Sequence, residues 1–223
     1  MQINHVIFSI PNGDLENPEY LVLAAVFEEE DWVELKVGRD AWEYDELFLG
    51  KNEFDNTRHK WQDIILLKEF YRENARHFNQ KFWKGLTINR FVEDVRASVP
   101  DIFEDFRKSC EAKGLYDHFE PLDKKDEKIR EKNEQNNKPH KLVRLKSKYG
   151  YIINKMVFRL YAVEIDRECF IITGGAIKVE EKMEQAGNTL LELDKIDYVK
   201  EILEDVGITS KKAFLDYLKK GSK

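Results

Sequence analysis

The sequence predicts an α+β fold. A small antiparallel sheet packed on helices is expected in the C-terminal half, preceded by a mainly helical N-terminal region with a few strands. Three observations carry this expectation. Residues 142–148 alternate, with Leu142, Arg144 and Lys146 interleaved with Val143, Leu145 and Ser147. The runs MVFRLYAVEI (156–165) and CFIIT (169–173) are rich in β-branched and aromatic residues. Residues 55–83, 87–113 and 189–206 repeat apolar side chains at helical spacing.

Composition bounds the class. The chain has 223 residues, 42% of them hydrophobic, enough for one large or two small domains. Charged residues reach 36%, but 14 Phe, 9 Tyr and 4 Trp supply a core and exclude disorder. No apolar run approaches the length of a membrane span, so no membrane partner is expected. The opening MQINHVIFSI lacks a basic leader and a small-residue cleavage site, and a cytoplasmic location is expected. Cys110 and Cys169 stand alone and read as buried thiols rather than a disulfide.

In chain order, residues 1–10 read as a strand and Pro11-Asn12-Gly13-Asp14 as a turn. Asn17-Pro18-Glu19 is a helix-start signal, yet YLVLAAVF (20–27) fits a buried strand equally well. Residues 32–37 alternate as a strand, and Asp40 caps a short helix ending near Gly50. Residues 55–83 read as one long helix, with Trp61, Ile64, Ile65, Phe70, Tyr71 and Phe78 on its apolar side, broken at Gly85. Thr87 opens a helix that stops before Pro100. A further helix from 101 ends with Gly114 as its C′ residue.

Residues 123–137 are almost all charged or amide, with Ile129 the one apolar residue, and read as a solvated loop or mobile helix. Gly174-Gly175 reads as a strand-ending turn, with a phosphate cradle as the weaker alternative. Thr189-Leu190-Leu191-Glu192 matches a capping box, followed by an apolar stripe to Leu203 and a stop at Gly207. Thr209 or Ser210 opens the last short helix. The expected units are an α+β or helical module at 1–86 and a second domain at 87–223 with a charged loop at 123–137.

Charge is unevenly spread. Between Lys138 and Lys178 lie nine basic residues against three acids, in a chain of net charge −6. The acidic total disfavours wholesale nucleic-acid binding, so an anionic partner should meet a local basic strand face. A solvated or protected sheet edge is the alternative. The five histidines are scattered without metal-ligand spacing, and no Walker A, GxGxxG or GxSxG motif occurs. No cofactor or metal is expected.

One family pattern runs through the second half. Phe91-Val92-Glu93-Asp94-Val95 precedes a helix ending at Gly114. Lys141-Leu142-Val143-Arg144-Leu145-Lys146 then matches L-x-x-L-R-x-[KR], and Val157-Phe158-Arg159-Leu160-Tyr161 matches Y-R-[IL]-x-Y. Ile171-Ile172-Thr173-Gly174-Gly175-Ala176-Ile177-Lys178 follows in place of H-G-F-x-K-K, and a closing helix spans 189–203. Over roughly 87–205 this order resembles the RelE-type toxins, closest to their phage-derived HigB-like branch. The resemblance implies a toxin of a toxin-antitoxin or phage-defence system, a metal-free endoribonuclease acting on messenger RNA at the ribosome and held by an antitoxin. The family's second lysine is Val179 here, and its histidine is Thr173. These departures favour the alternative, a non-catalytic interaction or regulatory protein that retains the fold.

Metal-free RNA cleavage must remove a proton from the 2′-hydroxyl, stabilise charge on the phosphorane and help the leaving oxygen. Arg144, Lys146, Arg159, Tyr161 and Lys178 are the candidate catalytic residues. Arg159 would clamp the phosphate, Lys146 would stabilise charge or act as base, and Tyr161 would stack on a base. If the two strands pair with their basic faces together, four of the five converge. The competing readings are a solvated strand face for Arg144 and Lys146, an ion pair of Arg159 with Glu164 or Glu168, and a core or edge position for Tyr161.

Overall fold

The computed structural model describes residues 2–10, 18–28, 30–31, 35, 50–78, 85–135, 141–148, 151–153, 156–178 and 187–221. The turn expected at 11–14, the Asn17 cap and residues 79–83 of the long helix lie outside these. So do the strand at 32–37 and the helix from Asp40, apart from Leu35 and Gly50.

The α+β class holds, with a larger sheet than expected. Its strands are β1 (Gln2–Ile10), β2 (Tyr20–Val26), β3 (Phe119–Pro121), β4 (Val143–Ser147), β5 (Tyr151–Ile153), β6 (Met156–Asp166) and β7 (Cys169–Lys178). The order is β1-β2-β7-β6-β4-β3, with β5 paired to β6. All pairings are antiparallel except β2 with β7, which run parallel from Leu21 opposite Cys169 to Ala24 opposite Ile172. Strands from both sides of the expected boundary at 86/87 therefore share one sheet.

The ambiguity at 20–27 resolves as strand. Every residue of β2 is buried, and its side chains alternate between two cores: Tyr20, Val22 and Ala24 in one, Leu21, Leu23 and Ala25 in the other. A strand covered on both faces reads as a continuous apolar run, which is why periodicity could not separate it from a helix.

On the first face lie α1 (Glu53–Lys60), α2 (Ile64–Glu73), α3 (Ala75–Phe78) and α4 (Ile88–Glu111). The single helix expected at 55–83 is broken at Asp63, where a second cap follows the one at Asn52 that starts α1. Asn52 accepts from the Asp55 amide at 2.9 Å, and Asp63 accepts from Ile65 and Leu66 at 2.7 and 3.1 Å. The reverse error occurs at Pro100, where α4 continues through the proline as one 24-residue helix. Proline costs a helix interior about 3 kcal/mol. Val95, Val99, Ile102, Phe103 and Phe106 are all buried, and their packing offsets that loss.

Helix α4 ends in a Schellman turn, with Lys113 donating to the Cys110 carbonyl and Gly114 to that of Ser109. The left-handed residue is Lys113, at φ 54°, not Gly114 as expected. Lys113→Gly should therefore raise stability by about 0.5–1 kcal/mol, since a non-glycine side chain is strained there. An unchanged or lower urea midpoint would count against this. The exposed Lys113–Glu19 pair that the change removes contributes little.

After α5 (Leu115–His118), residues 124–135 form helix α6 (Lys124–Gln135), the second of the two alternatives expected there, but anchored rather than wholly solvated. Two of its charged residues are buried, Asp126 and Arg130. Arg130 donates to the carbonyls of Phe119 and Tyr116 at 3.0 and 2.7 Å and pairs with Glu164 at 3.0 Å. Its guanidinium lies 3.7 Å from the Tyr116 ring centroid. Polar anchors do here what apolar residues usually do.

The second face carries α7 (Gly187–Asp205) and α8 (Lys211–Gly221). Leu191, Ile196, Val199, Leu203 and Phe214 pack on Tyr161, Val163 and Ile171. The capping box is not realised, because α7 begins two residues before Thr189, and Thr189 and Glu192 are buried within it. Gly207 stops the helix as expected, at φ 75° with Ile208 donating to the Leu203 carbonyl. Ser210 caps α8, accepting from Ala213.

Candidate functional site

The strand register brings the basic residues together as the alternation suggested. Arg144 lies opposite Val163 and Lys146 opposite Tyr161, so Arg144, Lys146, Arg159 and Tyr161 share one face. That face is not open. Helix α7 packs across β6 and β7, and its Asp197 meets Arg144.

Arg144 is the most committed. Its Nε donates to Asp126 Oδ2 at 3.0 Å, one terminal nitrogen to Asp197 at 2.8 Å and the other to Asp123 at 2.7 Å. Its own backbone amide donates to Asp126 Oδ1 at 3.2 Å. Asp126 is 1% exposed. Burial pushes its carboxyl above the usual range, although the Arg144 guanidinium pulls it down. Arg144 thus ties α6 and α7 to β4, and no fork is left for a phosphate.

Lys146 and Arg159 sit together around Glu120, at 3.7 and 3.6 Å. Arg159 also donates to the carbonyls of Ser147 and Lys148, and Lys146 to that of Leu122 at 3.3 Å. The expected partners of Arg159 are engaged elsewhere: Glu164 with Arg130, and Glu168 with Lys211 at 2.5 Å. Both basic side chains keep partial exposure, 23% for Lys146 and 18% for Arg159. Lys178 lies opposite Val157, one same-face step beyond the Arg159–Ala176 pair, and is half-buried.

Tyr161 corrects the stacking role assigned to it. It is 0% exposed, so no base can reach the ring. Its hydroxyl has no hydrogen-bond partner among the described residues, and burial holds it protonated far above its ordinary range.

Beside it lies a cluster that the sequence reading did not single out. Lys195 is completely buried, with its Nζ 2.7 Å from Glu53 Oε2 and 2.5 Å from Glu192 Oε1. Glu53 comes from α1 and Lys195 from α7, and the cluster reaches the sheet at Gly174. A Cβ there would overlap the Glu192 carboxylate and the Lys195 ammonium. A Cβ at Gly175 would lie 2.7 Å from Thr57 Cγ2 and 3.1 Å from Trp61 Cζ2. Gly174-Gly175 is therefore no strand-ending turn. It lies inside β7, where missing side chains admit a helix on each face. Burial raises the Glu53 carboxyl, but Lys195, Lys60 and the Asn56 amide outweigh it and hold the group below its ordinary range.

The signal for this cluster was faint. Lys195 falls on the apolar stripe of α7, four residues after Leu191 and four before Val199, where a solvated lysine does not belong. Nothing local marks Glu53. The two cysteines are free and buried, as expected. Burial pushes Cys110 up to about 12 and Cys169 well above its usual range, so neither is a nucleophile. Among the described residues no group of three or more His, Cys, Asp or Glu is placed to hold a metal. No helix among them is long and apolar enough to cross a membrane.

No family model matches the chain, and no curated protein or solved structure matches it either.

Proposed function

We propose that the chain is a cytoplasmic binding component of a toxin-antitoxin or phage-defence system, keeping a toxin-like arrangement without ribonuclease activity. The observation that carries this reading is the state of Arg144. Its guanidinium is spent on three carboxylates, and the strand face it belongs to lies under α7. Tyr161 in the core supports it further. On this reading the partner is a protein of antitoxin type.

The mutational expectation for Arg144 changes accordingly. Arg144→Ala should cost about 2–3 kcal/mol in urea unfolding, because it strands the buried Asp126 carboxylate. A surface phosphate contact would cost about 0.5 kcal/mol or less. Expression of the full chain should leave growth unaffected, and the purified chain should leave ribosome-bound messenger RNA intact.

A second reading, the metal-free endoribonuclease, is favoured by one observation: Lys146 and Arg159 keep partial exposure side by side. Growth arrest by the native chain, relieved by Arg159→Lys, would establish that reading and overturn the first. Arg159→Lys keeps the charge and removes the two-pronged geometry.

A further inference from the structure

On the face of the sheet opposite α7, a groove of about 320 Å³ opens between α1 and α4. Its wall is aromatic. The Phe54 ring meets Phe103 edge-on at 4.8 Å between centroids and Phe106 at 5.0 Å. The charges on its rim are unequal in availability. Glu104 and Arg107 form a two-pronged pair at 2.9 and 2.7 Å, and Arg107 also holds Glu111. Arg58, by contrast, is exposed, lies 5.7 Å from the Phe103 ring centroid, and has no ion-pair partner among the described residues.

We propose that this groove binds a small aromatic carboxylate, with its rings against the half-buried Phe54, on a wall that Phe103 and Phe106 back, and its carboxylate on Arg58. The volume lies at the lower end of the range for small-molecule sites, about 300–1,000 Å³, which suits one fused ring system. The wall rings pack on one another, and Phe54, only partly buried, leaves ring surface on which an aromatic body packs better than an aliphatic chain. Among the described rim residues Arg58 is the cation whose fork is uncommitted, and it selects an anion. Cys110 lines the groove as a buried, protonated thiol, so the ligand is bound and not modified. The site is separate from the basic strand face and does not depend on the function proposed above.

The test is calorimetric titration of the full chain with 2-naphthoate and with the neutral, isosteric 2-naphthamide. Naphthoate should bind about tenfold more tightly. Arg58→Gln should abolish that preference, weakening naphthoate more than naphthamide, and Phe54→Leu should weaken both ligands several-fold. Arg58 is exposed, so its replacement should leave the far-ultraviolet circular dichroism unaltered. Equal affinities for the two ligands on the native chain, absence of saturable binding, or a preference that survives in Arg58→Gln would each overturn the proposal.

Discussion

Lys195→Met is expected to destabilise the chain by about 3–5 kcal/mol, the cost of leaving buried carboxylates without their cation. Two carboxylates, 1% and 2% exposed, would then face each other across Gly174. Against a typical domain stability of about 5–15 kcal/mol, this should show as a large fall in urea midpoint or loss of soluble protein. The informative comparison is the triple variant Lys195→Met, Glu53→Gln, Glu192→Gln. It removes all three charges at similar volume and should recover part of the loss, because neutral amides cost less to bury than unpaired carboxylates. A single variant within about 1 kcal/mol of the native chain would show that the cluster does not hold α1 and α7 to the sheet.

The second large effect depends on pH. Burial pushes the Glu164 carboxyl up to about 7 from its ordinary value of about 4.5; Arg130 pulls it down and Asp166 pushes it up. The folded state therefore holds this proton over a range where the unfolded chain has released it. Stability from Glu164 is complete below about 4.5, falls as pH rises, and is lost above about 7. The interval corresponds to about 3 kcal/mol. Glu164→Gln mimics the protonated form and removes the titration. The stability of the native chain relative to this variant should thus fall by about 2.5 kcal/mol between pH 5 and pH 8, read from urea midpoints. A difference that is the same at both ends would mean the carboxylate is already well solvated by Arg130.

Legibility followed the range of the interactions. Strands β4, β6 and β7 and the stripe of α7 were visible because each is dictated by side-chain periodicity along a few residues. The placement of Arg144, Lys146, Arg159 and Tyr161 on one face was legible for the same reason. Their availability was not, because it is set by residues far away in sequence: Asp197 lies 53 positions from Arg144, and Glu53 lies 142 from Lys195. At helix α6 it was the buried anchoring, not the helix, that escaped the sequence. One apolar residue in 123–137 argued for solvent, but Asp126 and Arg130 anchor it through buried ion pairs that no apolar count registers. Pro100 was over-read, since packing of the flanking residues outweighed its local penalty.

The parallel pairing of β2 with β7 also fixes an order of events during synthesis. Leu21 and Cys169 are about 150 residues apart. At a synthesis rate of about 5–20 residues per second, β2 waits roughly 7–30 s for its neighbour. Over that interval β1 covers one edge of this entirely apolar strand and the other edge is unpaired. The nascent chain is then exposed to wrong strand pairing, and holdase chaperones that cover extended apolar segments should matter most for its yield before residue 169 emerges.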